Sequence, residues 1–459
     1  METLRNIYPK IYDFENLHQA YLEARKNKRF REDVLRFTAN LEENLIQLQN
    51  ELIYKTYSVG RYREFYVREP KKRLIMALQF RDRVVQWAIY RQIYPYFDAR
   101  MIDDSYACRI GRGALQAAER LQYWVRQVSR RPARYYYLKL DISKYFYRVD
   151  HAVLIEILGR HIQDADLMWL LETIINCEHT AFGLPAFAEA SDVPTEDRLA
   201  DKGIPIGNLT SQMFANIYLG ELDWYAKREL RLHYYVRYMD DIIILHEDKD
   251  FLRGVKDDIE AFLAEHLRLN LNRKTAIRPV SHSIEFVGYR IWPTHKRLKK
   301  KTAKKMRRSL KGVRAQYQRG EITAERLRQI EASYDGMLQH VNGDGLRQAL
   351  GLLPKKDTAP ERGLLTAHPQ DTWTPPAERT CYNCGNFFTS YFCGYNSCNC
   401  KIYGSLDVDQ HERHPDTAGA ECQHFWNRND TGTKEGAEKE GEPTCENLCG
   451  EKPQQNKQQ

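Results

Sequence analysis

Short apolar runs that end on acids constrain this chain more than any other feature. Tyr135-Tyr136-Tyr137-Leu138-Lys139-Leu140 runs into Asp141, while Tyr234-Tyr235-Val236 and Ile242-Ile243-Ile244-Leu245 flank Tyr238-Met239-Asp240-Asp241. Aromatic and β-branched runs of this length read as strands. Adjacent strands in one sheet would bring the three carboxylates together despite the 99 positions (240 − 141) between Asp141 and Asp240. An Asp-Asp pair alone is an ordinary turn feature. Beside buried Tyr235, Val236, Ile242 and Ile244 it is costly unless a cation compensates it. Carboxylates on stiff strands suit two Mg²⁺ ions about 3.5–4 Å apart, the arrangement that stabilises the attacking and leaving oxygens of nucleotidyl transfer.

The rest of the chain reads as an α+β layout around those acids. Residues 14–52 have helical spacing, 61–77 a hairpin pattern with a basic tip around Lys71 and Arg73, and 82–94 and 113–128 helical spacing again. A helix is expected over 151–160. A loop rich in Ala, Pro and acids covers 182–202. A longer helix over 211–230 carries Phe214, Ile217, Tyr218, Leu222 and Tyr225 on one face. After Trp292-Pro293 the chain reads as helical and basic, with eleven Lys/Arg and no acid between Lys296 and Arg314. That run is either a polyanion-binding surface or a solvated helix face.

These residues, in this order, resemble the boxes of reverse transcriptases. Tyr238-Met239-Asp240-Asp241 looks like their YxDD box and Leu140-Asp141-Ile142-Ser143-Lys144-Tyr145-Phe146 like the first catalytic box. The resemblance spans roughly 50–350 and implies a right-hand polymerase fold, with an N-terminal helical region and fingers over 1–134, palm over 135–292 and thumb over 293–353. It implies that Asp141, Asp240 and Asp241, with the carbonyl of Ile142, hold two Mg²⁺ ions. Lys71 and Arg73 would meet the incoming triphosphate, and Ser143 and Gly207 would line the nucleotide site. Phe146 would be the steric gate against a ribose 2′-OH, although by itself it reads as a core aromatic. Lys274 would protonate the leaving pyrophosphate, or is a surface lysine. Phe286, Gly288 and Tyr289 match the primer grip.

Most reverse transcriptases carry Gln-Gly where this chain carries Ile206-Gly207, in Gly203-Ile204-Pro205-Ile206-Gly207-Asn208-Leu209-Thr210-Ser211-Gln212. An aliphatic residue there is similar to reverse transcriptases of diversity-generating retroelements, which are related to group II intron and retron enzymes. Glu69-Pro70-Lys71-Lys72-Arg73 and Asp104-Ser105-Tyr106-Ala107-Cys108-Arg109 resemble that group too. The implied function is error-prone copying of a template RNA into cDNA from a primer and dNTPs, in mutagenic retrohoming, with a small basic helical accessory protein as partner. A defence-type or retron-like reverse transcriptase and a non-catalytic RNA-binding scaffold are the rivals.

Composition adds bounds. The formal charge of +8 over 459 residues only weakly favours a polyanion partner, but 29 tyrosines interleaved with Arg and Lys suit base stacking and phosphate pairing. No apolar run approaches the roughly 20 residues of a bilayer span, so a cytoplasmic location is expected and no membrane partner. A Pro- and Thr-rich linker, 354–380, leads to a cysteine-rich module over 381–427. Its Cys381, Cys384, Cys393, Cys398, Cys400, Cys422 and His424 exceed one tetrahedral site. Structural Zn²⁺, an iron–sulfur cluster and no metal all stay open there. Residues 428–459 have the composition of a disordered tail.

Overall fold

The computed structural model describes residues 3–67, 73–177, 181–185, 188–273 and 275–352, and the strands 387–390, 397–400 and 404–407. The chain divides into two units, Met1–Lys356 and Asp357–Gln459.

The first unit opens with helices α1 (Tyr8–Tyr12), α2 (Phe14–Ala24), α3 (Glu32–Ala39) and α4 (Leu41–Ile53). The single helical stretch read over 14–52 is therefore broken twice. Asn27 takes a left-handed conformation after α2, and Asn40 leaves helical geometry between α3 and α4. Asparagine tolerates both at little cost. Strands β1 (Arg63–Val67) and β2 (Arg73–Ala77) pair antiparallel, with Phe65 opposite Ile75. The hairpin's tip, including Lys71, lies outside the described residues. Helices α5 (Phe80–Asp98) and α6 (Ala114–Val128) follow.

The centre is built from β3 (Tyr136–Asp141), α7 (Tyr145–Arg148), α8 (His151–Gly159), α9 (Ala165–Ile175), α10 (Leu209–Arg228), β4 (Tyr235–Tyr238), β5 (Asp241–His246), α11 (Lys249–Leu267) and β6 (Ala276–Pro279). The four strands form one antiparallel sheet in the order β4-β5-β3-β6. Side chains alternate between two cores. Leu138, Leu140, Tyr235, Ile242 and Ile244 join the core that contains α10 and α11. Tyr137, Val236, Ile243 and Leu245 face Leu121, Trp124 and Val125 of α6. Burial on both faces explains why 242–245 is continuously aliphatic rather than alternating.

Helices α9 and α11 were not legible as expectations, yet each carries a start signal. Asp164 accepts from the amide of Leu167, and Asp248 from those of Asp250 and Phe251. Helix α10 departs from the one-faced reading. Met213, Ala215 and Leu219 are as buried as Phe214 and Tyr218, because α5, α8, α11 and β4 pack around it.

That burial encloses an ion pair. Arg237 Nε and Nη2 donate to Asp223 Oδ1 and Oδ2 at 2.7 and 2.6 Å, and the Tyr235 hydroxyl donates to Asp223 Oδ1 at 2.7 Å. Arg237 Nη1 reaches Asn216 Oδ1 at 3.2 Å and the Met239 carbonyl at 3.3 Å. The pair thus joins α10 to the turn that carries Asp240.

The unit closes with β7 (Ile284–Phe286), β8 (Tyr289–Ile291) and β9 (Lys296–Leu298), an antiparallel sheet, then α12 (Lys300–Gln318), α13 (Ala324–Gln339) and α14 (Asp344–Ala349). The basic run begins in a strand rather than a helix: Lys296 is buried against Glu119, and its backbone pairs with Ile291. The helices pack around Met306, Leu310, Leu338 and Leu350. In the second unit β10 (Phe387–Ser390), β11 (Ser397–Cys400) and β12 (Gly404–Asp407) form an antiparallel sheet. Cys398 and Cys400 lie on β11, whereas Cys381, Cys384, Cys393, Cys422, His424 and the 428–459 tail lie outside the described residues. Among the described residues, no helix is long and apolar enough to cross a membrane.

Arg237→Met should destabilise the first unit by about 3–5 kcal/mol, because Asp223 is left buried and unpaired. Asp223→Leu combined with Arg237→Met should recover a large part of that loss. Urea unfolding of the three proteins checks both; a double variant as unstable as the single one would contradict the account.

Candidate active site

The register of the central sheet places Asp141, the last residue of β3, opposite Asp241, the first of β5. Tyr238 pairs with Asp241, so Met239 and Asp240 form a two-residue turn between β4 and β5. Such a turn requires positive φ, and Met239 adopts +54°. The Ile142 amide donates to the Asp240 carbonyl at 3.3 Å, holding the turn against the end of β3. Asn272 grips Asp141 twice: its amide donates to the Asp141 carbonyl at 2.7 Å and its side chain to Oδ2 at 2.9 Å.

The electrostatics are those of crowded acids. Burial pushes the Asp240 carboxyl up to about 6, and the charge of Asp141 adds to the rise. Burial also raises Asp241, against the pull of Lys139. Lys139 Nζ lies 2.7 Å from Asp241 Oδ1 and donates to Oδ2 at 3.0 Å. Arg73, the first residue of β2, lowers Asp240 slightly. Among the described residues, no group of three or more His, Cys, Asp or Glu side chains is arranged so that it could hold a metal ion. Asp241 is engaged by Lys139 instead. Three hard carboxylates with too little positive charge nevertheless fit a divalent cation of the Mg²⁺ type.

The neighbouring boxes converge on the same edge. Ser143 donates its amide to the Asn270 carbonyl at 2.9 Å, and Lys144 takes φ +52° before α7. Phe146 is half-buried, and its carbonyl accepts from Ile204 at 2.8 Å. Phe146 and Ile206 pack into one apolar cluster with Leu74, Met76, Tyr147, Phe182 and Leu184. The Met76 amide donates to the Ile206 carbonyl at 3.2 Å, joining β2 to the 203–207 segment. Gly207 is constrained twice, by φ +126° and by the Met76 carbonyl, 3.2 Å from where a Cβ would sit.

Of the expected primer-grip residues, Phe286 and Tyr289 bury their side chains in the core facing α6. What their hairpin presents is the Val287-Gly288 turn, with φ of +41° and +90°. A Cβ on Gly288 would meet nothing within 4 Å, so the turn's conformation, rather than close packing, calls for glycine there. Lys274, like Lys71, lies outside the described residues. The sequence reading passed over Lys139, Asn272 and the Asp223–Arg237 pair. A lysine two residues before Asp141 on the same strand face was the available signal.

The raised acid has a consequence for stability. Asp240 binds its proton more tightly folded than unfolded, so stability falls as pH rises through the window from its ordinary value near 4 to about 6. Above that window the full cost persists, on the order of 1–3 kcal/mol. Asp240→Asn should therefore raise the melting temperature at pH 7.5 in chelator, and the gain should shrink at pH 5. A variant no more stable than wild type at pH 7.5 would contradict this reading.

Residues 68–291 match the family model described as reverse transcriptase (RNA-dependent DNA polymerase). Protein YkfC of Escherichia coli K12 is 26% identical over 290 residues, covering 55% of this chain and 72% of that protein. The Saccharomyces cerevisiae protein named for COX1/OXI3 intron 2 is 22% identical over 299 residues, covering 52% of this chain and 32% of that one. Apo telomerase from Candida tropicalis, truncated from its C-terminal domain, is similar at 14% identity, with 53% of this chain and 55% of that chain covered and a TM-score of 0.39. Telomerase from Candida albicans with a fragment of telomeric RNA covers 64% of this chain and 55% of that chain, at 12% identity and a TM-score of 0.38.

Proposed function

We propose that Asp141, Asp240 and Asp241 are the nucleotidyl-transfer centre of an RNA-directed DNA polymerase, a reading supported by the match of residues 68–291 to the reverse transcriptase family model. The observation that carries this reading is the pairing of Asp141 with Asp241, with Asp240 in the adjoining turn. The three carboxylates and the Ile142 carbonyl would hold two Mg²⁺ ions. Bound there, the ions supply charge stabilisation to the attacking and leaving oxygens. Arg73 and Lys71 meet the triphosphate, Ser143 and Gly207 line the nucleotide site, and Lys274 donates a proton to pyrophosphate. Phe146 packs where a 2′-OH would intrude, and the Val287-Gly288 turn seats the primer end. Template RNA, primer and dNTPs are the substrates.

The finer reading is error-prone copying of template RNA in a diversity-generating retroelement, with a small basic helical protein as partner. Its support is Ile206, whose apolar side chain packs against the same cluster as Phe146, around Leu74 and Met76 of β2. A glutamine there could contact the sugar and base of the incoming nucleotide, whereas isoleucine can only pack. Loss of a polar contact loosens selection.

Asp241→Asn should lower Mg²⁺-dependent primer extension on RNA by at least about a hundredfold while leaving RNA binding nearly intact. Equal activity in variant and wild type would end the assignment. Ile206→Gln should reduce misincorporation opposite template adenines in sequenced products; an unchanged error spectrum would refute the role given to that position.

A further inference from the structure

We infer that Lys139 is a positioning residue whose ammonium ties the Val287-Gly288 turn to Asp241, so that primer seat and carboxylate are held in one geometry. The inference rests on the polymerase site proposed above.

Period-two alternation puts Lys139 on the same face of β3 as Tyr137 and Asp141. Its register partners are Ile243 on β5 and Ala276 on β6. A lysine on a strand face that elsewhere carries Tyr137, Val236, Ile243 and Leu245 costs desolvation unless its donors are used. They are used in two directions. Nζ lies within 3.0 Å of both Asp241 carboxylate oxygens and donates to the Glu285 carbonyl at 2.8 Å. A counter-charge for Asp241 alone would have no need to reach β7.

The link continues beyond Glu285. The Glu285 carboxylate lies 3.6 Å from Lys299 Nζ and 3.7 Å from Arg290 Nε. The Lys299 amide donates to the Gly288 carbonyl at 3.0 Å, and Lys299 is the residue before α12. One connected set of bonds therefore runs from Asp241 through Lys139 and β7 to the turn and to Lys299, the residue that precedes the closing helices. The turn needs such support. Val287 at φ +41° is a β-branched residue in left-handed backbone, a conformation that persists only where surrounding contacts impose it.

The two roles of the ammonium have opposite signatures when it is removed. Loss of a cation beside three acids strengthens their pull on a divalent ion, whereas loss of the tether lets the primer seat drift from Asp241. A small misplacement of reacting groups costs rate steeply. A residue needed only for folding would weaken both properties together.

The test compares wild type with Lys139→Met and Lys139→Gln in two measurements. Mn²⁺ binding is titrated by calorimetry without primer or nucleotide, and single-nucleotide addition is measured on a primer annealed to RNA at saturating Mg²⁺. The expected result is Mn²⁺ affinity about three- to tenfold tighter, together with addition slower by about tenfold or more. Addition within twofold of wild type, weaker Mn²⁺ binding, or loss of folding in both variants would each overturn the inference. Wild type that fails to extend the primer would instead overturn the polymerase site on which the inference rests.

Discussion

The ladder between β3 and β5, from Tyr136 opposite His246 to Asp141 opposite Asp241, is the constraint on which the rest depends. Side chains alternate along a strand, so a slip of one residue would turn Leu138, Leu140 and Asp141 to the wrong faces at once. Cores on both sides of the sheet resist that slip. The same burial makes the acids expensive, as the upward push on Asp240 and Asp241 records. Costly charge held in place by a large apolar core is the usual balance at sites shaped for chemistry rather than stability.

Hydrogen bonds, one between backbones and one from a side chain, fasten elements on two sides of this ladder. On one side β2 meets the 203–207 segment through Met76 and Ile206, with Gly207 allowing the close approach. On the other, β7 meets β3 through Lys139 and Glu285. Beneath the turn, Arg237 carries the Met239 carbonyl on a guanidinium anchored to Asp223 inside α10. An arginine suits that place because its fork satisfies a carboxylate with two bonds and still has a donor to spare.

The central strands and their acids were legible in the sequence because short aliphatic runs ending on aspartates have few other readings. Helix α10 was legible as a helix but not as a buried one: Asp223 and Asn216 look like solvent-facing positions until Arg237 supplies their partner. Helix α11 was missed although Leu252, Val255, Ile259, Leu263 and Leu267 repeat at helical spacing behind the Asp248 cap. Strands β6 to β9 are three or four residues long, too short to carry a period of their own. Lys139 and Asn272 escaped notice because their meaning lies in what they reach across the sheet, and sequence order does not show that.

Asp141, Asp240 and Asp241, from two strands and the turn between β4 and β5, are proposed as one divalent-metal centre. Anomalous diffraction from crystals of the protein soaked with Mn²⁺ and a deoxynucleoside triphosphate tests it most directly. The expected result is manganese bound by oxygens of Asp141, Asp240 and Asp241, with the triphosphate against it. Manganese bound elsewhere, with the three acids bare, would contradict it.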